Sequence, residues 1–281
     1  MRILAVPIRM LNRIVLWYKV LRSIHGCDAR TQSGLILSAV LDTLSYLVNP
    51  LLALSPKIYV SGIICFKSQQ SYVYFYVRCF SDDLYNVMPG REGDVNELIL
   101  RCLREGDVFI DVGANIGYYS VLAGKIIGDS GRVISVEPVP STAEVLKYNI
   151  RLNNLRNVKV IQKAIWSNEQ VITMHVPKNF FGMASIRNLH NADSLVVEGI
   201  PLDTICEAPE VDLLKIDAEG SEYQVLKGAR KTLEKTRHVI LEASTEKGKI
   251  INLLREEQFK IRKMKFTSYV LAYKNLKTRV G

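Results

Sequence analysis

Cysteine is scarce in this sequence, and its cysteines do not form recognisable pairs. Five cysteines are spread over 281 residues, an odd number, and no C-x-x-C spacing occurs. This pattern predicts neither a disulfide framework nor a structural zinc site. We therefore expect reduced thiols that pack as small apolar groups, as in a cytoplasmic protein.

Low-complexity tracts and internal repeats are absent as well. Hydrophobic residues make up 48% of the chain and charged residues 23%, which excludes global disorder and allows one sizeable core with an appendage. The formal net charge of +9 favours an anionic partner such as nucleic acid, acidic lipid or an acidic glycan. Nucleic acid is the least favoured of the three, because the basic residues are dispersed and no RNA-binding module is recognisable.

No apolar run is sufficiently free of polar residues and proline to predict a membrane span. Residues 34–55 are long enough and mostly apolar, but Asp42, Asn49 and Pro50 interrupt them. They predict instead a buried or interfacial helix that ends near Asn49 and Pro50.

The preceding segment is basic and lacks the small-residue cleavage site of a signal peptide. Residues 1–33 contain six basic residues and one acidic residue. They predict an amphipathic helix with Arg13 on its polar side and an apolar side made of Met10, Leu11, Ile14, Trp17, Tyr18, Leu21 and Ile24. Our hypothesis is a peripheral contact with the inner face of an anionic membrane. The alternatives are that both helices cap the rest of the chain or form a dimer interface.

The chain divides into three predicted parts. Residues 1–56 are the helical segment, and residues 57–89 form a β-hairpin with a linker, because Tyr, Val, Ile and Phe dominate two runs around residues 68–71. In residues 90–281, apolar strands alternate with helices, which predicts an α/β domain with a mostly parallel, doubly wound sheet. Residues 260–274 predict an antiparallel hairpin at its C-terminal edge.

Within this domain the pattern predicts one strand over residues 158–165, an irregular connection over residues 177–200, and one helix from Glu222 to Lys235. Residues 179–194 of the connection have the length of a lid over a binding site.

The four histidines show no metal-ligand spacing, so no metal site is predicted. His25 is expected in the N-terminal helix, His175 on a strand and His238 at the start of a strand. His190 lies in the irregular connection and is the histidine that we would test as a base.

The strongest local signal is the segment Asp111-Val-Gly-Ala-Asn-Ile-Gly117, which ends a strand and opens a helix. Ligands bind at this crevice in doubly wound sheets, and Gly113 and Gly117 allow the backbone to approach them closely. A dinucleotide fingerprint would need glycine where Asn115 and Tyr118 stand, and the Gly-Lys-Ser/Thr ending of a phosphate loop is missing. Asp111 suits a cationic ligand such as S-adenosylmethionine, whereas it would repel a pyrophosphate.

A second acid follows the next strand. Glu137 stands at the end of that strand and precedes Pro138. An acid in this place can accept hydrogen bonds from both hydroxyls of a ribose. The loop, the acid and the alternation of strands and helices together predict an S-adenosylmethionine site, although turn glycines and a solvated acid would each look the same in isolation.

At these residues the sequence resembles the FkbM-like family of methyltransferases. The resemblance covers about residues 90–275 and rests on FIDVGANIGYYSVLAG, VEPVPSTAEVLKYNIRLNN and LKIDAEGSEYQVLKGA. It implies a Rossmann-like class I methyltransferase fold, S-adenosylmethionine as the donor, and O-methylation, often of sugars or other secondary metabolites. By the same matching, Ala164 would lie near the adenine, and the other cofactor-binding residues would be Asp111, Gly113, Asn115, Gly117 and Glu137.

The last of these segments places four ionisable residues around the end of a strand. Alternation puts Lys215 and Asp217 on one side of the strand, Glu219 follows at a turn, and Glu222 begins a helix. A carboxylate here would take the proton of an acceptor hydroxyl, so we assign catalytic roles to Asp217, Glu219 and Lys215. Lys215 would either keep Asp217 ionised or orient the acceptor directly. For Glu222 a purely local interaction with the helix dipole is the alternative.

The sequence therefore predicts an S-adenosylmethionine-dependent O-methyltransferase that acts on a hydroxyl of a glycan, a lipid-linked sugar or a related metabolite. An RNA methyltransferase or N-methyltransferase is one alternative. Another is an inactive, membrane-associated binding protein with a methyltransferase fold, against which the intact glycine loop argues.

Overall fold

The computed structural model describes residues 5–48, 56–69, 71–187, 191–264 and 268–274. The chain falls into two compact units. The first comprises residues 1–91 with 179–182, and the second comprises residues 92–178 and 183–281. The three-part division predicted from the sequence stays a prediction.

The first unit combines two long helices with a small sheet. Its elements are α1 (Ala5–Ser23), β1 (His25–Gly26), α2 (Ala29–Val48), β2 (Gly62–Ser68), β3 (Ser71–Val77) and α3 (Asp83–Asn86). Strands β2 and β3 form the predicted antiparallel hairpin, and β1 pairs antiparallel with β2. The prediction of His25 in the first helix is wrong, because α1 ends at Ser23 and His25 pairs with Cys65 in the sheet.

No helix within the described residues is both long and apolar enough to cross a membrane. Asn49 and Pro50, where the sequence predicts the end of the second helix, lie outside the described residues.

The buried side of α1 differs from its predicted apolar side. Arg13, predicted on the polar side, is buried, and its guanidinium binds Asp42 of α2 through Nε at 2.6 Å and Nη2 at 2.8 Å. The Trp17 indole N–H donates to the same carboxylate at 2.7 Å. Tyr18 and Ile14, predicted on the apolar side together with Trp17, are exposed. A buried carboxylate requires charged and hydrogen-bonding partners, and this need sets the rotation of α1.

We expect Asp42→Ala to destabilise the first unit by about 3–5 kcal/mol, because the Arg13 guanidinium would stay buried without its partner. The measurement is urea unfolding, monitored by tryptophan fluorescence. It uses a Trp166→Phe background, in which Trp17 is the remaining tryptophan. Asp28→Ala is the matched control, since it removes an exposed cap at the start of α2 and should destabilise the unit much less. Equal losses in the two variants would contradict the importance of the buried pair.

The second unit is an α/β domain. Its helices are α4 (Gly93–Cys102), α5 (Tyr118–Ile127), α6 (Pro140–Leu152), α7 (Glu222–Lys227), α8 (Arg230–Glu234) and α9 (Lys247–Glu256). Its strands are β4 (Val108–Val112), β5 (Arg132–Val136), β6 (Val158–Ile161), β7 (Ala164–Ile165), β8 (Gln170–Pro177), β9 (Ala192–Ile200), β10 (Val211–Ile216), β11 (Thr236–Glu242), β12 (Lys260–Lys263) and β13 (Tyr269–Tyr273).

Among the described residues, one sheet runs in the order β12-β13-β11-β10-β4-β5-β6. Strands β6, β5, β4, β10 and β11 are parallel, and β13 is antiparallel to both of its neighbours. This is the predicted doubly wound fold of a class I methyltransferase, with the C-terminal hairpin at one edge. The strand order reverses beside β4, which places the ligand crevice at the carboxyl ends of β4, β5 and β10.

Apolar side chains on both faces explain the continuous apolar runs of the central strands. Ile110 and Leu214 belong to the core cluster that includes α7 and α9, whereas Phe109 and Leu213 belong to the cluster that includes α4 and α5. Strands covered on both faces read as apolar runs rather than as alternating patterns. The strands therefore hold the residues at their carboxyl ends on a rigid frame.

Two strand predictions are wrong because a second, smaller sheet was not recognised. Residues 158–165 are two strands, since β6 belongs to the large sheet and β7 pairs parallel with β9. Much of the predicted irregular connection is β9, which pairs antiparallel with β8. In β9, Leu195 and Val197 pack on Ile172 and Met174. Polar residues and a glycine interrupt this alternation and hide it in the sequence.

The predicted helix from Glu222 to Lys235 is broken into α7 and α8. At Gly228 a Cβ would lie 1.9 Å from the carbonyl oxygen of Trp166, so the chain passes too close for any side chain. A new helix then begins, and the Asp203 carboxylate accepts the N–H groups of Lys231 and Thr232 in its first turn. Both contacts at this break involve residues that are distant in the sequence, Trp166 and Asp203.

Candidate active site

The loop after β4 is held close to its neighbours. Gly113 N–H donates to the Val136 carbonyl at 3.0 Å. Gly113, Asn115 and Gly117 have φ values of +75°, +50° and +95°. A Cβ at Gly113 would lie 1.8 Å from the carbonyl oxygen of Asp217, so only glycine fits there. The close approach joins the predicted cofactor loop to the predicted catalytic segment.

Glu137 fastens this loop to the end of β5. Its side chain is 6% exposed, and its Oε2 accepts the Asn115 N–H at 3.0 Å while Oε1 accepts the Val139 N–H at 3.0 Å. The Asn115 side-chain oxygen is buried and has no hydrogen-bond partner among the described residues. A buried polar atom of this kind calls for a partner, which a polar ligand in the crevice would supply.

Lys215 lies inside the domain between two acids. The parallel register of β4 and β10 sets it beside Asp111, and its side chain is 2% exposed. Its Nζ lies 3.4 Å from Asp111 Oδ1 and 3.5 Å from Asp217 Oδ2. The Ser120 hydroxyl donates to the other Asp111 oxygen at 2.7 Å. This burial supports the first of the two predicted roles, an interaction with Asp217, over direct contact with an acceptor.

Two tyrosines complete this cluster, and sequence reasoning missed both. The Tyr269 hydroxyl of β13 donates to Asp217 Oδ2 at 2.8 Å. The Tyr119 ring centre lies 5.1 Å from the Lys215 ammonium, and the Tyr119 hydroxyl donates to Glu92 at 2.6 Å. Tyr269 is 52 residues from Asp217 in the chain, so only the pairing of β13 with β11 brings it near.

The cluster is electrostatically coupled. Burial lowers the pKa of the Lys215 ammonium, but Asp111, Asp217 and Glu92 outweigh burial and raise that pKa above its ordinary value. Burial, together with Asp217 and Glu92, raises the pKa of the Tyr269 phenol far above its usual range. At neutral pH Lys215 is therefore charged and Tyr269 is a hydrogen-bond donor.

Glu222 fixes the turn that carries Glu219. Its Oε1 accepts the Ala218 N–H at 3.2 Å and the Gly220 N–H at 2.9 Å. Glu219 and Gly220 have φ values of +46° and +98°. The left-handed conformation costs a residue other than glycine about 1–3 kcal/mol, so the surrounding contacts must hold it. Glu222 thus has a structural function beyond an interaction with the helix dipole.

Two more segments hold the same turn. The Ser185 hydroxyl donates to the Glu219 carbonyl at 2.8 Å, and the Thr245 hydroxyl donates to the Gly220 carbonyl at 3.1 Å. The exposed Arg187 guanidinium lies over the turn, since a Cβ at Gly220 would be 3.4 Å from its Nε. In the sequence, the only signal for Ser185 and Arg187 is their place in the predicted lid segment.

The other predicted residues lie apart from this cluster. Ala164 is in β7 and packs in the core of the small sheet, and its proximity to an adenine stays a prediction. His238 Nδ1 lies 3.1 Å from the Asp212 carbonyl near the start of β10, and His175 contacts Ser194. His190 lies outside the described residues, and among the described ones no group of side chains could hold a metal ion.

Comparison with known families assigns the domain. Residues 111–261 match the family model described as the methyltransferase FkbM domain, which is more than half of the chain. The chain belongs to this family. The domain is therefore an S-adenosylmethionine-dependent methyltransferase domain.

Similar proteins of known name include several methyltransferases. The hexuronic acid methyltransferase AglP of Haloferax volcanii is 28% identical over 170 residues, which cover 59% of this chain and 68% of the relative. Protein-L-isoaspartate O-methyltransferase 1 of Archaeoglobus fulgidus is 39% identical over 59 residues, which cover 21% of this chain and 27% of the relative. The chain thus spans little more than a quarter of the length of that relative.

Two solved structures align with much of this chain at low sequence identity. The S-adenosylmethionine-dependent O-methyltransferase of Thermotoga maritima has a TM-score of 0.44 and 14% identity, over 76% of this chain and 78% of that one. Fibrillarin of Aeropyrum pernix, solved with S-adenosyl-L-methionine bound, has a TM-score of 0.41 and 16% identity, over 75% of this chain and 93% of that one.

The buried carboxyl of Glu222 in this FkbM domain should make stability depend on pH. Burial raises its pKa above the ordinary value of 4.5, although three backbone N–H groups partly offset burial. A raised carboxyl pKa stabilises the fold while the group is protonated, and this contribution is lost as the pH rises through the folded-state pKa. We therefore expect the native protein to lose stability relative to Glu222→Gln as the pH rises above about 4.5.

Thermal unfolding of the native protein and Glu222→Gln over a pH series measures this difference. Gln keeps an oxygen for the two N–H groups, so the turn should persist. Glu105→Gln, at an exposed position, is the control and should follow the native protein. If the native protein instead gained stability relative to Glu222→Gln as the pH rises, the raised pKa of Glu222 would be contradicted.

Proposed function

We propose that this protein transfers a methyl group from S-adenosylmethionine to a hydroxyl of a glycan, a lipid-linked sugar or a related metabolite. The observation that carries the proposal is the juxtaposition of the cofactor loop and the segment containing Asp217 and Glu219 at Gly113. Membership of the FkbM family supports methyl transfer as the reaction.

The charges of the crevice fit the proposed methyl donor. The electrostatic cluster around Lys215 contains the acids Glu92, Asp111, Asp217 and Glu242, so negative charge is in excess. A cationic sulfonium and ammonium suit such surroundings better than a phosphate does. We assign Glu137 to the ribose hydroxyls, Asp111, Gly113, Asn115 and Gly117 to the remainder of the cofactor, and Ala164 to the adenine.

Asp217 and Glu219 are the protein groups that we assign to proton removal from the acceptor. S-adenosylmethionine, when bound, supplies an electrophilic methyl group carried by a sulfonium. The acceptor hydroxyl must lose a proton as its oxygen bonds to the methyl carbon, and a carboxylate of Asp217 or Glu219 takes it. Lys215 and Tyr269 hold the Asp217 side chain in one orientation, which favours the in-line geometry of transfer.

An acidic sugar is the acceptor class with most support. AglP, to which this chain is similar, is named for a hexuronic acid. Arg187 presents an exposed guanidinium over the Glu219–Gly220 turn, where it would pair with a carboxylate. Among the described residues we find no comparable feature that would recognise RNA or an amine acceptor. A cytoplasmic location belongs to the proposal and is supported by the free thiols of all five cysteines.

The acceptor class is tested by tracing labelled methyl groups from S-adenosylmethionine. Extracts of cells with and without the gene are incubated with the purified protein, and label is measured in glycan, lipid and RNA fractions. We expect protein-dependent label in glycan or glycolipid that survives ribonuclease. Label confined to RNA or protein would overturn the proposal.

With that acceptor, Asp217→Asn and Glu219→Gln should each slow methyl transfer by about 10²–10⁴-fold, the range typical for loss of an acid or base. Cofactor affinity should change less for Glu219→Gln than for Asp217→Asn, because Asp217 belongs to the cluster beside the cofactor loop. Glu207→Gln, an exposed acid before β10, is the control and should stay fully active. Near-normal turnover in both site variants would contradict these roles.

A further inference from the structure

Both long helices of the first unit expose a row of large apolar side chains. In α1 the row is 42–61% exposed and consists of Leu11, Ile14, Val15 and Tyr18. In α2 it is 48–52% exposed and consists of Ile36, Leu37, Val40 and Leu44. Spacings of one, three and four residues put each row on one face of its helix. We name these rows the α1 stripe and the α2 stripe.

The stripes are separate from the core of the unit. Each helix already buries a different face, which includes Arg13 and Trp17 in α1 and Leu35 and Asp42 in α2. Exposed apolar side chains that occur singly are ordinary, but contiguous rows mark a surface that another body covers. The stripes therefore need a partner outside the unit.

The exposed charges beside the stripes are mostly basic. Lys19 and Arg22 are exposed on α1, and Arg30 is exposed in the first turn of α2. Among residues 10–45, whose side chains are all described, Asp28 is the one exposed acid, and its carboxylate accepts the N–H and hydroxyl of Thr31. The other acid of this segment, Asp42, is buried against Arg13. The surface thus combines apolar rows with positive charge.

We propose that the α1 and α2 stripes dock on an anionic lipid surface. Apolar helical faces flanked by Lys and Arg bind in the headgroup region, where the apolar side chains reach the acyl chains and the cations meet lipid phosphates. A symmetric contact between two copies of this chain would instead bring the three basic side chains of each copy close to those of the other. The docking is independent of methyl transfer and goes beyond the proposed function.

Vesicle flotation of the full-length protein at low salt tests this proposal. One set of vesicles contains equal parts of phosphatidylcholine and phosphatidylglycerol, and the other contains phosphatidylcholine alone. The stripe variants are Ile14→Gln with Tyr18→Gln, and Val40→Gln with Leu44→Gln. The matched control is Val171→Gln with Val196→Gln, which removes exposed apolar side chains from β8 and β9.

We expect the native protein and the control to float with the anionic vesicles and to bind neutral ones more weakly. Each stripe variant should lose about tenfold or more in binding, because two apolar side chains no longer enter the lipid. Lys19→Gln with Arg22→Gln should lose the preference for anionic vesicles. Native protein that stays at the bottom, or stripe variants that float as well as the control, would overturn the proposal. A native dimer that the stripe variants dissociate, without vesicle binding, would assign the surface to a second copy.

Discussion

Lys215 carries its ammonium into the interior of the second unit, where Asp111 and Asp217 lie 3.4 and 3.5 Å away. An isolated buried charge would be costly, and so would two acids facing each other without a cation. The parallel register of β4 and β10 is what lets one lysine serve both carboxylates. The predicted cofactor loop begins at Asp111 and the predicted catalytic turn begins at Asp217, so the ion pairs of Lys215 connect these two segments.

Near this cluster, Glu219 and Asn115 adopt unfavourable left-handed backbone conformations. Side chains from other segments of the chain stabilise both of them. Glu219 adopts a left-handed conformation at a turn that Glu222, Ser185 and Thr245 all bond. These contacts hold the Glu219 backbone in one conformation, as our proposal that its carboxylate meets an acceptor requires. The same principle applies at Asn115, whose N–H is bound by Glu137.

The sequence predicted those features that depend on neighbouring residues. The mostly parallel sheet of the second unit and its antiparallel C-terminal hairpin follow from local apolar patterns. The errors arose where distant contacts decide. Asp42 binds Arg13 on the side of α1 that the helical pattern gives to solvent, the Trp166 carbonyl leaves room only for glycine at position 228, and Tyr269 reaches Asp217 only through the sheet. A helical wheel considers one helix at a time, so it cannot show that a carboxylate on another helix binds Arg13.

The most direct test of this account is the affinity for S-adenosylmethionine over a pH series, measured by titration calorimetry for the native protein and Lys215→Met. Without the ammonium, Asp111 and Asp217 would share a site as like charges, which favours uptake of a proton at lower pH. The account predicts that the affinity of Lys215→Met rises by about tenfold or more with increasing pH relative to the native protein, while near-ultraviolet circular dichroism shows an intact fold. Parallel pH profiles for the two proteins would contradict it.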